Sequence, residues 1–197
     1  MPVLLDFSRH ADLSLHAGLI GGVVLAAAPL GVTPLITGAF ARDLHLWYAH
    51  GIPIHRETED VDVALNLPDW GAFRAVTDSL VASGNYKRSL TAAHRLRHGN
   101  GMAIDLVPFG TLETAGRNIS WPPDDEIVMN VFGYREALAN ADEVILPENI
   151  RGRLVSLPAL ALLKFVCWHD RRTGAGPDRG VVDPDGETPP HATSAGD

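Results

Sequence analysis

The sequence is poor in cysteine and has no excess of basic residues. Cys167 is its only cysteine, which excludes a disulfide framework and a zinc site built from several cysteines. Lys and Arg number 16 against 24 Asp and Glu, and the resulting net charge of −8 argues against a nucleic-acid coat protein with a broad basic face. A small acceptor at a local basic patch stays compatible with this charge. The nine histidines are scattered, so we predict no histidine metal site. The single cysteine also leads us to expect a cytoplasmic protein.

Neither a membrane span nor a signal peptide is indicated. The run of small apolar residues at 17–28 is too short to cross a membrane and is followed by Pro29. The residues before it carry Asp6 and Asp12 against Arg9, which is not the basic flank of a signal peptide. We therefore predict a packed helix over residues 12–28 and no membrane partner.

Composition divides the chain into one folded domain and a tail. Hydrophobic residues make up 46% of the 197-residue chain, which is enough for a core, and there are no internal repeats. From Thr173 onward Gly, Pro, Asp, Ser and Thr dominate without any periodicity. We predict a domain over residues 1–172 and a disordered tail over residues 173–197.

The stretch that organises the chain is residues 60–65, where apolar residues alternate with Asp60, Asp62 and Ala64. This alternation predicts a strand with one apolar face, on which both aspartates point the same way. Two neighbouring carboxylates repel each other, and a hard cation such as Mg²⁺ would relieve that repulsion. The alternative is a strand edge with two solvated aspartates.

A glycine turn precedes this strand. Residues 33–37 form a short β-branched run that ends at Gly38, and helical periodicity follows from Phe40 to Tyr48. A glycine between a strand and a helix lets the backbone approach a ligand, and the helix start offers free N–H groups to an anion. An ordinary tight turn is the alternative, but the combination of this turn with the nearby aspartates favours a phosphate-binding site.

A third carboxylate lies in a predicted hairpin. Two strand-like segments flank Gly-Asn-Gly at residues 99–101, and Asp105 stands in the second one within Ile-Asp-Leu-Val. A buried carboxylate needs a partner. That partner is either the metal of Asp60 and Asp62 or a salt bridge to Arg95 or Arg97 on the adjacent arm.

The last periodic segment predicts a helix over residues 157–172, capped by Ser156. It is apolar through Trp168 except at Lys164, so we predict that it is largely buried, with Cys167 in the core. Lys164 either extends to the surface or meets an anion. Elsewhere the patterns predict a helix from Trp70 to Gly84, a loop over residues 110–130, a short helix at 132–141, and strands at 143–146 and 153–155.

The order of these elements resembles the polymerase-beta-like nucleotidyltransferase superfamily, and in particular its small bacterial and archaeal members, including the AbiE-type abortive-infection toxins. Residues 56–62 match the Arg-x-Thr-x-Asp-hydrophobic-Asp pattern of that group. Residues 104–106 match its third-carboxylate strand, and residues 163–164 and 168–171 match the start of its C-terminal helix. The resemblance covers about residues 13–172 and implies an α/β (α+β) fold, a short mixed β-sheet backed by helices.

The resemblance also implies a chemistry. A nucleoside monophosphate would pass from a nucleoside triphosphate, ATP among them, to an acceptor with the help of Mg²⁺ or Mn²⁺. The residues implied as catalytic and metal-binding are Asp60, Asp62 and Asp105. Those implied for nucleotide binding are Gly38, Ala39, Arg56, Thr58 and Lys164.

The acceptor and the biological context stay open. RNA or tRNA, a protein or a small molecule are the candidate acceptors, and the resemblance implies a toxin with an antitoxin partner. A binding module with a degenerate site is the alternative, because Ala39 stands where the superfamily usually has Ser or Gly and the sequence runs into a Gly/Pro-rich tail. A metal-dependent phosphohydrolase is a third hypothesis.

Overall fold

A computed structural model describes residues 2–54, 60–123 and 125–173 of the chain. Arg56 and Thr58 lie outside these described residues, as does the predicted tail beyond Thr173. The expectations for these positions therefore stay predictions.

The chain alternates strands and helices. In order, they are β1 (Leu4–Asp6), α1 (Ser14–Ala27), β2 (Leu35–Thr37), α2 (Gly38–Asp43, continued as a π-helix over Leu44–Ala49), β3 (Asp60–Leu67), α3 (Trp70–Ala82), β4 (Tyr86–Arg88), β5 (Arg95–His98), β6 (Ala103–Gly110), β7 (Asn118–Ser120), β8 (Val128–Asn130), α4 (Tyr134–Ala139), β9 (Asp142–Leu146), β10 (Ile150–Leu154) and α5 (Leu157–Thr173). Short 3₁₀ turns cover Ala11–Leu13, Ala28–Leu30 and Pro147–Asn149.

Eight strands form one mixed sheet in the order β1-β9-β10-β2-β3-β6-β5-β4. β3 and β6 pair in parallel along their full length, whereas β2 runs antiparallel to β3 and β5 runs antiparallel to β6. The mixed sheet backed by helices is the α/β fold that the sequence predicts. It contains more strands than the short sheet expected, because the three-residue strands β1 and β4 form its two edges.

Helices cover the sheet in two groups. α1 contacts α3 and β10, while α2 and α4 both contact α5. Every residue of β6 is buried, so both faces of the sheet are covered at its centre. By length and composition alone, the helical stretch Ala11–Leu30 could also cross a membrane, but here it packs on α3 and the sheet.

The prediction for α5 is wrong in one respect. The helix forms as expected, but only Leu160 and Leu163 among the side chains described for residues 157–172 are buried, and Phe165 and Trp168 are 62% and 52% exposed. Cys167 is exposed rather than in the core. An apolar run predicts a helix without telling how many neighbours cover it, and the elements that pack most extensively on α5 are the short helices α2 and α4.

The segment predicted as a loop over residues 110–130 also contains regular structure. β7 and β8 pair antiparallel there as a separate two-stranded sheet. Three-residue strands offer too few alternating positions for periodicity to reveal them.

Candidate functional site

Pairing between β3 and β6 brings the three predicted aspartates together. Asp60 and Asp62 are two residues apart on β3 and therefore share a face of the sheet. Asp105 of β6 stands directly beside Asp62 in the parallel register and is buried. We call Asp60, Asp62 and Asp105 the carboxylate cluster.

The electrostatics of the carboxylate cluster are visible at Asp62. Burial first, and then the charges of Asp105 and Asp60, raise the pKa of Asp62 to about 6, against smaller opposing effects of Lys164 and Arg95. A carboxyl group with a raised pKa lacks enough positive charge around it. The carboxylate cluster is therefore a place where an added cation would be stabilised.

Arg95 supplies positive charge to the other two aspartates. Its Nε donates to Asp105 Oδ1 at 2.7 Å and its Nη2 donates to Asp105 Oδ2 at 2.7 Å, a two-pronged contact. The same Nη2 reaches Asp60 Oδ2 at 3.3 Å. Of the two partners that the sequence left open for Asp105, the structure contains the salt bridge to Arg95.

The chemistry of the carboxylate cluster suits a metal ion, but the present arrangement of its side chains does not form a metal site. Three carboxylates are hard oxygen donors of the kind that Mg²⁺ and Mn²⁺ take, and the pKa of Asp62 is raised by burial and then by the charges of Asp105 and Asp60. Within residues 2–54, 60–123 and 125–173, however, no group of three or more His, Cys, Asp or Glu is arranged to hold a metal ion. Arg95 contacts two of the three carboxylates that would have to converge.

Gly38 lies against Asp62. Its backbone has φ of +71°, and a Cβ added there would stand 1.7 Å from Asp62 Oδ2. Both the backbone conformation and the space therefore require glycine. Thr37 pairs with Asp62 across β2 and β3, so Gly38 and Ala39 begin α2 beside the carboxylate cluster, as the sequence predicts.

Two side chains approach from other elements. Lys164 of α5 is exposed, and its charge acts on Asp62. Tyr134 of α4 is partly buried, and desolvation raises its pKa, with smaller contributions from Cys167 and Asp62. Lys164 was predicted for this site, whereas Tyr134 carries no signal in the sequence that distinguishes it from an ordinary core tyrosine.

Histidine also reaches the carboxylate cluster. His94 Nε2 lies 3.9 Å from Asp105 Oδ2, and burial lowers the pKa of His94 against the opposing charge of Asp105. Sequence reasoning missed this neighbour and assigned no role to Arg95 beyond a salt bridge. The hairpin register could have revealed both, because a turn at residues 99–101 places Arg95 opposite Asp105.

A separate cavity of about 520 Å³ lies toward the β1 edge of the sheet. Leu4, Val24, Pro34 and Arg151 are among its lining residues. None of the predicted site residues that the structure describes lines it, so we place the candidate chemistry at the carboxylate cluster instead.

Comparison with known families shows which family the chain belongs to. The sequence model described as "Nucleotidyl transferase AbiEii toxin, Type IV TA system" matches residues 25–177, well over half of the chain. The chain belongs to the AbiEii nucleotidyltransferase family. The match includes β2, α2, β3, β6 and α5, and so every element that contributes to the carboxylate cluster and its surroundings. AbiEii membership makes the protein a nucleotidyltransferase of a toxin–antitoxin family.

Other comparisons add little to this AbiEii assignment. No curated protein matches the chain. The solution structure of the antibiotic-resistance factor ANT(2'')-Ia is similar at 17% identity, covering 81% of this chain and 74% of that one, with a TM-score of 0.44. The crystal structure of ANT(2'')-Ia in complex with adenylyl-2''-tobramycin is similar at 17% identity, covering 80% and 78%, with a TM-score of 0.47. At these scores the likeness carries no argument about substrate.

Proposed function

We propose that the carboxylate cluster is the active site and that it transfers a nucleoside monophosphate from a nucleoside triphosphate to an acceptor hydroxyl. The observation that carries the proposal is the pairing of Asp62 with Asp105 across β3 and β6, with Asp60 on the same face. Membership of the AbiEii family supports nucleotidyl transfer as the reaction.

Asp60, Asp62 and Asp105 would hold Mg²⁺ or Mn²⁺. When bound, the cation would neutralise triphosphate oxygens and help to align the α-phosphorus. The uncompensated charge at Asp62 supports this role, because carboxylates that repel one another gain from a shared cation.

The transfer itself is an in-line displacement. The acceptor oxygen forms a bond to the α-phosphorus, the bond from that phosphorus to the bridging oxygen breaks, and pyrophosphate leaves with the electron pair. Asp105 is the candidate to accept the hydroxyl proton, since it is a buried base beside Asp62. Positioning and charge supply most of the catalysis in reactions of this class.

The residues around the carboxylate cluster would bind the phosphates. Gly38 and Ala39 present backbone at the start of α2, and Lys164 is exposed and close enough to act on the charge of Asp62. We assign Arg56 and Thr58 to the triphosphate as well, on the strength of their place in the sequence motif. These assignments rest on complementarity between positive groups and phosphate oxygens.

The family description supports a toxin with an antitoxin partner. We propose a cytoplasmic protein with a folded domain over residues 1–172 and a tail over residues 173–197, and an acceptor drawn from RNA or tRNA, a protein or a small molecule. The net charge of −8 favours an acceptor bound at a local patch over one gripped along a broad basic face.

Label transfer tests the function. The protein is incubated with each α-labelled nucleoside triphosphate, Mg²⁺ and either total RNA or total protein, and label in the acceptor is measured. We expect transfer by the wild type and its loss in Asp62→Asn, which removes a ligand charge with little change of shape. Asp78→Asn, on the exposed side of α3, is the matched control and should retain transfer.

One observation favours a second function. Arg95 contacts Asp60 and Asp105 directly, which is also what a degenerate site that had lost its metal would show. Such a protein would bind nucleotide or a partner without transferring label. Triphosphate binding that is equal with Mg²⁺ and with EDTA, together with no label transfer, would favour this binding module.

A further inference from the structure

Arg95 joins two strands of the candidate active site through one guanidinium group. Its Nε and Nη2 occupy both oxygens of Asp105 at 2.7 Å, and Nη2 continues to Asp60 Oδ2 at 3.3 Å. The side chain of Asp105 is 11% exposed and that of Asp60 is 41% exposed. The guanidinium therefore bridges the buried carboxylate of Asp105 and the more exposed carboxylate of Asp60.

The position of Arg95 follows from the hairpin. β5 and β6 pair with Arg95 opposite Asp105, while Arg97, two residues along, stands opposite Ala103. The two arginines are on the same strand and the same face, yet only Arg95 stands opposite a carboxylate. Its place among the aspartates is set by register rather than by a general excess of arginine on the strand.

We propose that Arg95 is a tethered counter-ion, which keeps Asp60 and Asp105 in place without metal and which the divalent cation must displace. The inference rests on the proposed function of the carboxylate cluster. A guanidinium and a divalent cation compete for the same carboxylate oxygens, and they repel each other at close range. Metal binding thus requires Arg95 to leave Asp105.

The side chain of Arg95 can make this movement. It is 27% exposed, so part of the side chain already meets solvent. β5 has four residues and lies between β6 and the edge strand β4. A flexible side chain on such a strand can turn away without disturbing the pairing of β3 with β6.

Metal affinity tests the proposal. Mn²⁺ binding to the full chain without nucleotide is measured by calorimetry for the wild type, Arg95→Met and the matched control Arg97→Met. We expect Arg95→Met to bind Mn²⁺ about tenfold more tightly or better, the factor that one charge-assisted contact corresponds to. The same variant should melt at a lower temperature in EDTA, because Asp60 and Asp105 lose their counter-ion. Arg97→Met should change neither quantity.

A direct readout of displacement keeps the test independent of folding in the variant. In the wild type, the ¹⁵N resonance of Arg95 Nε should shift on titration with Mg²⁺, and its proton should exchange faster with water, while the signal of Arg97 stays in place. If Arg95→Met does not fold, Arg95→Lys retains the charge but loses the two-pronged contact, and it should still bind Mn²⁺ more tightly than the wild type.

The outcomes separate the two proposals. Mn²⁺ binding by the wild type with no gain in either Arg95 variant and no shift of Arg95 Nε would overturn the displacement and leave the metal site standing. Absence of binding in the wild type and both variants would overturn the metal site, and the displacement with it.

Discussion

At the scale of single residues, Asp62 links the stability of the folded chain to pH. Its pKa of about 6 lies above the ordinary aspartate value of 3.8, because burial and two neighbouring carboxylates disfavour the charged form. The folded chain therefore binds the proton more tightly than the unfolded chain, and stability falls as pH rises from about 4 to about 6. Above about pH 6, the ionised Asp62 carboxylate destabilises the folded chain by the full amount.

The first prediction follows from this loss of stability with rising pH. In EDTA, Asp62→Asn should be as stable as the wild type near pH 4 and more stable at pH 7, by up to roughly 3 kcal/mol from the size of the pKa shift. Urea unfolding at both pH values measures the difference, and Asp78→Asn controls for the loss of a negative charge at an exposed site. A stability gain of equal size at both pH values would show that Asp62 is not the group that titrates.

Gly38 and Asp62 form a second pair at this scale. Gly38→Ala introduces a Cβ at positive φ and places it 1.7 Å from Asp62 Oδ2, whereas Gly31→Ala has φ of +66° but meets nothing within 4 Å. The control should cost about 1 kcal/mol from backbone strain alone. We expect Gly38→Ala to cost at least about 1 kcal/mol more, from overpacking.

Chemical denaturation of both glycine variants checks this, and the double change Gly38→Ala with Asp62→Ala should recover part of the loss. Equal costs at positions 38 and 31 would mean that Asp62 does not fill the space beside Gly38. Loss of label transfer in Gly38→Ala alone would not decide the point, because any shift of Asp62 would have the same effect.

At the scale of elements, the sequence predicts the strands and helices that have clear periodicity. It does not predict how deeply an element is buried, because burial depends on neighbouring elements. The alternation around Asp62 and the glycine turn before β6 predict the strands that carry the carboxylate cluster, and β3 and β6 form as expected. No pattern could choose between a metal and Arg95 as the partner of Asp105, because both satisfy a buried charge. The exposure of α5 could not be predicted either, since an apolar run does not tell what covers it.

The third prediction uses the two sides of α5. Leu163 is 5% exposed and packs in the core, so Leu163→Ala should cost about 2–4 kcal/mol through the cavity it leaves. Phe165 is 62% exposed, so Phe165→Gln should change the free energy of unfolding by no more than about 0.5 kcal/mol. Urea unfolding of both variants measures the contrast. A cost at Phe165 close to that at Leu163 would show that another segment or a second copy covers this side of α5 in solution.

At the scale of the whole molecule, the buried core and the match to the AbiEii family occupy nearly the same part of the chain. The core cluster extends from Phe7 to Leu163, and the family match covers residues 25–177. The carboxylate cluster lies inside both, on strands at the centre of the eight-stranded sheet. Stability and the proposed chemistry thus depend on the same elements, whereas the tail predicted from composition beyond Thr173 should contribute to neither.

The last prediction separates the folded domain from the tail. Deleting residues 174–197 removes a segment with little apolar content and no periodicity, so the melting temperature should change by less than about 2 °C, a shift that corresponds to no more than about 1 kcal/mol for a domain of this size. A longer deletion from residue 160 removes Leu160 and Leu163 from the core and should lower the melting temperature clearly, which makes it the positive control. Binding of a hydrophobic dye should be the same with and without residues 174–197. A rise in dye binding together with a loss of several degrees would mean that the tail covers the exposed aromatic side of α5.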